Sequence, residues 1–229
     1  PTYVKPYKEQ NELNRIDFGN FNKLNSNTLY SLLSSLEKEL PELEIVIINQ
    51  QIAVSLFIKE FIDKLLILIN KFSNTVFIVD SRHNSDEFPG AILKLNDFIA
   101  ERMVGNSILK GNSVSRGNAL KTAETLYKKF NKTIFITRGI NGCIVVDEGV
   151  IKEIPSVKIT GNIDAVGAGD SMLAGICIAL VSGQDAFNSA SLGNLTAAVT
   201  IQKLYQTGTA SPEELLIMAS QPNFVISAE

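Results

Sequence analysis

The chain has 229 residues, of which 45% are hydrophobic and 20% charged, and it carries a formal net charge of −3. This size and apolar content suit one soluble globular domain over residues 1–229. The mild acidity gives no electrostatic basis for binding nucleic acid or a membrane surface. The sequence has neither an apolar run long enough to span a membrane nor the basic-then-apolar start of a signal peptide, so we expect a cytoplasmic protein.

The N-terminal part of the chain alternates short apolar strands with amphipathic helices. Its predicted elements are an edge strand at 15–18, a helix at 27–40, a strand at 44–49, a helix at 53–72 and a strand at 75–80. Arg15 and Asp17 would share one face of the first strand, as a solvated ion pair or as a substrate contact. Asp80 ends the last strand, where open α/β sheets bind ligands, although it would serve equally as a cap for the next loop.

The remainder of the chain continues the same alternation. The predicted elements are a weak strand at 91–95, a short helix at 99–103, a helix at 118–130, a strand at 133–137, a hairpin of 142–147 with 150–154, and helices at 172–181, 186–204 and after Pro212. Strands that are separated by helices pair in parallel through right-handed crossovers. We therefore predict an α/β fold of three layers, α/β/α, with a mostly parallel sheet.

Histidine and cysteine are too scarce for several kinds of site. His83 is the only histidine, and with Cys143 and Cys177 it nearly excludes a His/Cys zinc site. A Ser-His-Asp hydrolase would need His83, and the Gly-x-Ser-x-Gly elbow is absent. Both cysteines lie in apolar runs, so we expect buried, reduced thiols. The chemistry must rest on carboxylates, backbone amides or a hard metal ion.

A glycine loop, Asp164-Ala165-Val166-Gly167-Ala168-Gly169-Asp170, precedes the apolar run that starts at Met172. Glycine permits a tight turn, and the helix after it would present unpaired amides and a positive dipole end to an anion such as phosphate. A carboxylate at Asp170 is then placed to take a proton from an attacking hydroxyl. The alternative is an ordinary strand-to-helix turn in which the aspartate is an N-cap.

The string from Asp164 to Met172 resembles the signature of the ribokinase-like (PfkB) carbohydrate kinases, Asp-Thr-x-Gly-Ala-Gly-Asp-Ser/Ala-Phe, with Ala165 in place of Thr and Met172 in place of Phe. The resemblance implies a sugar kinase that uses ATP and Mg²⁺. It implies that Asp170 is the catalytic base and that the backbone of Gly167, Ala168 and Gly169 is the anion hole.

Weaker motifs extend the resemblance towards the kinase half of the bacterial heptose enzymes, which phosphorylate D-glycero-D-manno-heptose 7-phosphate. These motifs are Arg15-Ile16-Asp17-Phe18, Val79-Asp80-Ser81-Arg82, Arg138-Gly139 with Gly142, Asn194-Leu195-Thr196-Ala197-Ala198 and Gly208-Thr209-Ala210. They imply that Arg15, Asp80 and Asp164 lie on the substrate side. No basic cluster marks a substrate phosphate, and Arg15, Arg82 and Lys94 are the candidates.

The resemblance also assigns residues to the nucleotide. They are Asn96, Thr137, Gly139, Gly142 and Asn194, of which Asn96 would also help to organise Mg²⁺ through water. A purely structural interpretation is open for each: Asn96 as a strand-end turn residue, the glycines as turn glycines, and Asn194 as a helix residue that binds a neighbouring backbone.

Two departures from the family pattern weaken the assignment of activity. Ile99 stands where the family has a metal-organising Glu, and an alkyl side chain cannot bind a metal or its waters. The family's N-terminal third, with its glycine-rich segment, several strands and a sheet lid over the sugar, is not in this sequence. An exposed sheet edge would follow, which favours a homodimer. A non-catalytic nucleotide- or sugar-binding domain is therefore the alternative function.

Overall fold

The computed structural model describes residues 2–9, 11–19, 24–52, 57–107 and 113–221. Their contacts divide the chain into a first unit, Pro1–Pro89, and a second unit, Gly90–Glu229. The single domain expected over 1–229 stays a prediction. Both units alternate helices and strands, and the second contains nearly all of the residues predicted to bind the nucleotide and to carry the chemistry.

The first unit contains two short antiparallel pairs and one parallel pair of strands. β1 (Thr2–Val4) pairs with β4 (Ile16–Phe18), and β2 (Tyr7–Lys8) pairs with β3 (Asn11–Glu12). Beyond them come helix α1 (Ser26–Glu39), β5 (Ile45–Gln50), helix α2 (Lys59–Lys71) and β6 (Val76–Ser81). β5 and β6 are parallel in register from Ile45↔Val76 to Gln50↔Ser81, as expected for strands joined through a helix.

Local sequence sets the ends of both helices of this unit. The side chain of Asn25 caps α1 by accepting the Thr28 N–H at 2.8 Å, and Pro41 lies in the 3₁₀ turn that follows the helix. α2 begins later than predicted, because Ile58 is extended, with φ −78° and ψ 155°. The predicted start at 53–56 lies outside the described residues. One face of α2, from Phe61 to Ile69, supplies much of the core of the unit.

The second unit is built on four neighbouring strands, β7 to β10. In chain order its elements are β7 (Ile92–Asn96), α3 (Asp97–Met103), α4 (Arg116–Phe130), β8 (Ile134–Thr137), β9 (Cys143–Asp147), β10 (Val150–Ile154), α5 (Ala168–Val181), α6 (Ala186–Thr200) and α7 (Pro212–Ala219). β7 and β8 are parallel, whereas β8–β9 and β9–β10 are antiparallel. The strand predicted to be weak is buried at its centre, since Leu93 and Leu95 have no exposed surface, and its last residue, Asn96, is exposed.

Two glycines allow α5 and α6 to pack against each other at close range. A β-carbon built at Gly175 would lie 2.5 Å from Thr196 Oγ1 and 3.0 Å from Gly193 Cα. One built at Gly193 would lie 2.9 Å from both Ile176 Cγ1 and the carbonyl oxygen of Met172. Neither position leaves room for a methyl group, so the backbones of the two helices are in direct contact.

The prediction that α6 extends to Leu204 is wrong, because the helix ends at Thr200. The Asp164 N–H donates to the carbonyl of Ile201 at 2.8 Å. The chain then continues in i→i+3 turns, with the Lys203 N–H donating to the carbonyl of Thr200 at 3.0 Å. A β-carbon at Gly208 would lie 2.9 Å from the same carbonyl oxygen, so the returning chain passes close to the end of the helix. The last helix, α7, begins as predicted, with a capping box between Ser211 and Glu214.

Every helix among the described residues is too short or too polar to cross a membrane. Both cysteines are buried and free of a disulfide, as the sequence predicts. Burial raises the pKa of the Cys143 thiol to about 12, although the charge of Lys94 acts in the opposite direction. Burial likewise raises the pKa of the Cys177 thiol to about 12, again against the charge of Lys94.

We therefore expect both thiols of the folded protein to be unreactive towards a disulfide reagent at pH 8. A raised pKa keeps each thiol protonated at that pH, and the thiolate is the reactive form. Titration with dithionitrobenzoate should give no fast release of chromophore from the native protein and two equivalents in denaturant. A Ser182→Cys variant, with its new thiol on the surface, is the positive control. Fast native labelling of the unmodified protein would contradict the expectation.

Candidate active site

The glycine loop leads into the N-terminus of α5, and no side chain caps this end of the helix. Gly167 is the N-cap residue and has a left-handed backbone, with φ 80° and ψ −3°. A side chain there would be strained, and its β-carbon would lie 3.0 Å from Thr207 Cγ2. The amides of the first turn have no carbonyl partner within the helix and lie at the positive end of its dipole. The first of them, the Ala168 N–H, donates instead to the carbonyl of Ala165 in the loop at 3.2 Å. This geometry suits an anion.

Asp164 holds the start of the loop in place. Its side-chain Oδ1 accepts the N–H of Val166 at 3.0 Å, which closes a small turn. Its own N–H donates to the carbonyl of Ile201 beyond the end of α6. The residue that the family resemblance places on the substrate side therefore shapes the loop in this structure.

Asp170 lies in the first turn of α5 and is exposed to solvent. A carboxylate that can be reached from solvent, next to uncapped helix amides, meets the first geometric requirement for a base that acts on a bound substrate. The opposite arrangement, with the acid buried in the interior, would have excluded that role.

A cavity of about 590 Å³ opens beside this loop. Its wall contains Ala168 and Gly169 from the glycine loop together with Thr137, Gly139, Gly142 and Asn194, four of the five residues predicted to contact a nucleotide. Asp164, Gly167 and Asp170 adjoin this wall along the chain but do not form part of it. The volume lies in the range of small-molecule sites in proteins.

The segment after β10 forms one wall of the cavity, and three contacts fix it. Asn194 is 7% exposed, and its side-chain amide donates to the carbonyls of Ile154, at 3.2 Å, and Pro155, at 2.9 Å. The Ser156 hydroxyl donates to the carbonyl of Ile140. A β-carbon at Gly142 would lie 2.1 Å from the carbonyl oxygen of Ile154. Asn194 and Gly142 therefore position this wall, and whether they also contact a nucleotide stays a prediction.

Sequence reasoning missed most of the apolar lining of the cavity. These residues are Val157, Ile159, Ile163, Met172, Ala197 and Ile201. Nothing in the sequence distinguishes them from ordinary core residues. Their common property is that they flank the glycine loop or the Asn194 turn of α6, a proximity that only the fold reveals.

Asn96 is the N-cap of α3, and its side-chain Oδ1 accepts the Ile99 N–H at 2.7 Å. The structural interpretation of Asn96 therefore applies, and its predicted contact with nucleotide or metal remains a prediction. Ile99 itself is 6% exposed and belongs to the core.

Glu101 does not replace the carboxylate that is missing at position 99. It is 1% exposed and accepts hydrogen bonds from Thr122 Oγ1 and Asn106 Nδ2, each at 2.6 Å, so it faces α4. Among the described residues, no group of three or more His, Cys, Asp and Glu side chains is arranged to hold a metal ion.

Arg15 and Asp80 belong to the first unit. Arg15 and Asp17 form an exposed ion pair with Nε–Oδ1 at 2.6 Å, and the Arg15 guanidinium lies 4.5 Å from the centre of the Tyr3 ring. Asp80 is buried near the end of β6, in register with Asn49. The ion pair between Arg15 and Asp17 is thus present, and the substrate roles of Arg15 and Asp80 stay predictions.

Comparison with known proteins places these features in a family. The model of the pfkB family carbohydrate kinases matches residues 7–214. The chain is 37% identical to 2-dehydro-3-deoxygluconokinase from Escherichia coli over 75 residues. The matched segment is 31% of this chain and 24% of that enzyme. The chain is also 32% identical to inositol 3-kinase from Arabidopsis thaliana over 73 residues. That segment is 32% of this chain and 20% of the inositol kinase. The matched segment covers a quarter or less of either curated relative.

Among solved structures, phosphofructokinase-2 from Escherichia coli in complex with substrates and products matches 94% of this chain and 68% of its own, with a TM-score of 0.69 and 18% identity. At that identity the likeness shows the fold alone. The predicted three-layer α/β/α, ribokinase-like fold with a mostly parallel sheet is confirmed. Because the family model spans most of its length, the chain belongs to the pfkB family of carbohydrate kinases.

Proposed function

We propose that the protein is an ATP-dependent kinase that phosphorylates a hydroxyl group of a sugar or sugar phosphate. The observation that carries this proposal is the uncapped N-terminus of α5, which opens at a cavity next to an exposed aspartate. Family membership supports it. ATP would lie in the cavity with its base between the apolar walls and its phosphates at Ala168 and Gly169.

Each group at the loop has a distinct task in this proposal. Asp170 accepts the proton of the sugar hydroxyl as its oxygen attacks the γ-phosphorus, and the bond to the bridging oxygen of ADP breaks. The backbone amides of Gly167, Ala168 and Gly169 stabilise the charge on the transferred group. The Ala168 N–H, which donates to the carbonyl of Ala165 at 3.2 Å, must release or share that bond to do so. The proton leaves Asp170 for solvent after the product has departed.

Mg²⁺ is implied by the family resemblance, but the residues present do not fit a metal held by the protein. Ile99 is an alkyl group, Glu101 is bonded to α4, and Asn96 Oδ1 caps α3. Mg²⁺ would therefore arrive on the phosphates of the nucleotide. The roles proposed for Asp170 and the loop amides do not depend on a metal site in the chain.

We propose a heptose 7-phosphate as the acceptor. The support is the order of the secondary motifs, from Arg15-Ile16-Asp17-Phe18 to Gly208-Thr209-Ala210, around the signature. A coupled assay of ADP release should favour this acceptor over ribose, fructose 6-phosphate, inositol and 2-dehydro-3-deoxygluconate. Preference for another sugar would replace the acceptor and leave the kinase proposal intact. A cytoplasmic homodimer, as expected from the sequence, is part of the same proposal.

A non-catalytic nucleotide- or sugar-binding domain is the second candidate, and the burial of Ile99 at the metal-organising position favours it. Calorimetric titration with ATP, with and without Mg²⁺, separates the two functions when it is run beside the assay of ADP release. Binding without turnover on any acceptor would support the second candidate. Binding with turnover would exclude it.

We expect Asp170→Asn to lower turnover by about 100- to 10,000-fold, since the amide cannot accept the proton. ATP affinity should stay within a few-fold of the unmodified protein, because the loop backbone is unchanged. Asp63→Asn, an exposed change on α2, is the control. The pair of measurements is kcat by ADP release and Kd by calorimetry, and near-normal turnover in Asp170→Asn would remove the base from the proposal.

We also expect Gly142→Ala to weaken ATP binding strongly. The new β-carbon would lie 2.1 Å from the Ile154 carbonyl, so the wall beside Asn194 must move. Gly183→Ala is a matched control, because its φ of 80° is similarly unfavourable while open space surrounds it. Each substitution should cost about 1–3 kcal/mol of unfolding free energy through its backbone, but only Gly142→Ala should change the ATP Kd. Equal ATP affinity in the two variants would contradict the wall assignment.

A further inference from the structure

Arg138 is a buried cation next to the wall of the cavity. It follows Thr137, the last residue of β8, and its side chain is 4% exposed. Its Nε has no hydrogen-bond partner among the described residues. A guanidinium that is removed from water in this way needs an anion nearby, because it has lost its hydration.

Glu153 supplies that anion from β10. Its Oε2 lies 3.8 Å from Arg138 Nη1, and β9 lies between β8 and β10. Glu153 points to the α4 face of the sheet, because Arg116 of α4 bonds the same carboxylate. The side chain before it, Lys152, points to the other face and lies 4.1 Å from the centre of the Phe187 ring of α6. The pair of Arg138 and Glu153 therefore spans β9 on the face opposite α6.

The carboxylate of Glu153 is shared unequally between two arginines. Arg116 Nε donates to its two oxygens at 2.9 and 3.0 Å, and Arg116 Nη2 donates to Oε1 at 2.5 Å. The 3.8 Å to Arg138 exceeds hydrogen-bond distance, so charge alone joins these two residues. Neither an exposed ion pair nor a buried one adds much to stability, so stability does not account for a buried arginine at this position.

The two residues of the buried pair adjoin the two segments that form the cavity wall. The Arg138 N–H donates to the carbonyl of Gly142 at 2.8 Å and so closes the turn of residues 139–142, each of which lines the cavity. Glu153 is the last but one residue of β10, and the lining segment 156–159 follows shortly after it. The pair therefore connects both segments from the face of the sheet that packs on α4.

We propose that Arg138 and Glu153 are positioning residues that fix the wall against which the base of the nucleotide binds. Their attraction holds the turn after β8 and the segment after β10 at one separation, and neither residue lines the cavity. The proposal rests on the proposed function and deepens it, since it names what determines the affinity for the base. No proton moves and no bond forms or breaks at either residue.

The experiment measures ATP affinity and thermal stability in Arg138→Met, which removes the charge and keeps a long side chain. An apolar side chain in place of a buried charge is often neutral or stabilising, so the thermal midpoint should stay unchanged or rise. ATP affinity should fall about 2- to 30-fold, the range expected for residues that act on a site without touching its ligand. Lys128→Met is the control, because it removes an exposed pair with Glu124, at 2.5 Å, on the same helix as Arg116.

A fall in ATP affinity without a fall in thermal midpoint would support the positioning role, since a purely structural residue would lower both together. A parallel loss of stability and affinity would assign Arg138 a structural role and overturn the proposal. Unchanged ATP affinity in Arg138→Met would also overturn it, as would a loss of affinity that Lys128→Met shares.

The other partner keeps the test decisive if Arg138→Met does not fold. Glu153→Gln removes the negative charge and should weaken ATP binding as Arg138→Met does, whereas Arg116→Met leaves the buried pair in place and should bind ATP like the unmodified protein. Equal ATP affinity in Glu153→Gln and Arg116→Met would overturn the proposal. In an Arg138→Met background the effect of Glu153→Gln should disappear, because the pair is already broken, and full additivity would contradict the pair.

Failure of the proposed function gives a different result. An unmodified protein that binds no ATP would refute the proposed function, and its titration precedes that of every variant. An unmodified protein that binds ATP, with an affinity that does not depend on the buried pair, would overturn only the roles of Arg138 and Glu153.

Discussion

No side chain caps the N-terminus of α5, and the residues of the glycine loop leave it uncapped. Gly167 takes the left-handed conformation that brings the chain into the helix without a cap. The side chain of Asp164 accepts the Val166 N–H, which lies in the loop ahead of the helix, and so does not cap the first turn. The Ala168 N–H donates to the carbonyl of Ala165, and no side chain caps the amides that follow it, which lie at the positive end of the dipole.

One wall of the cavity beside that helix is fixed by contacts to the backbone of the segment after β10. The wall after β10 is held by the Asn194 amide, by the Ser156 hydroxyl and by the approach of Gly142 to the Ile154 carbonyl. The apolar residues that face the cavity fill the space that these contacts define. A substitution at Asn194, Ser156 or Gly142 should therefore weaken ATP binding more than a substitution of an apolar residue that lines the cavity.

Much of the fold could be predicted because the capping and turn residues in the sequence mark the same helix ends and turns that the folded structure has. The helices that start at Ser26 and Pro212 have strong caps, and the hairpin around Glu148 and Gly149 has the two left-handed residues that its turn requires. The end of α6 could not be predicted. Its sequence stays helix-compatible to Leu204, but after Thr200 the chain continues in i→i+3 turns, and Gly208 returns close to the carbonyl of Thr200.

The candidate site could be predicted in its motif but not in the tasks of its members. Thr137, Gly139, Gly142 and Asn194 do meet at one cavity. The side-chain amide of Asn194 donates to the carbonyls of Pro155 and Ile154, and the side-chain oxygen of Asn96 caps α3. In both cases the polar side chain bonds the nearest backbone partner. A family pattern identifies the position, and only the three-dimensional neighbours show which atoms are already used.

The direct contact of α5 with α6 through Gly175 and Gly193 has a mechanical consequence. One wall of the cavity belongs to the first turn of α5, and another wall includes Asn194 and Ala197 of α6. Because the backbones of the two helices leave no room for a methyl group between them, the distance between the helices is fixed. The width of the cavity is thus set in part by Gly175 and Gly193, two residues that do not line it.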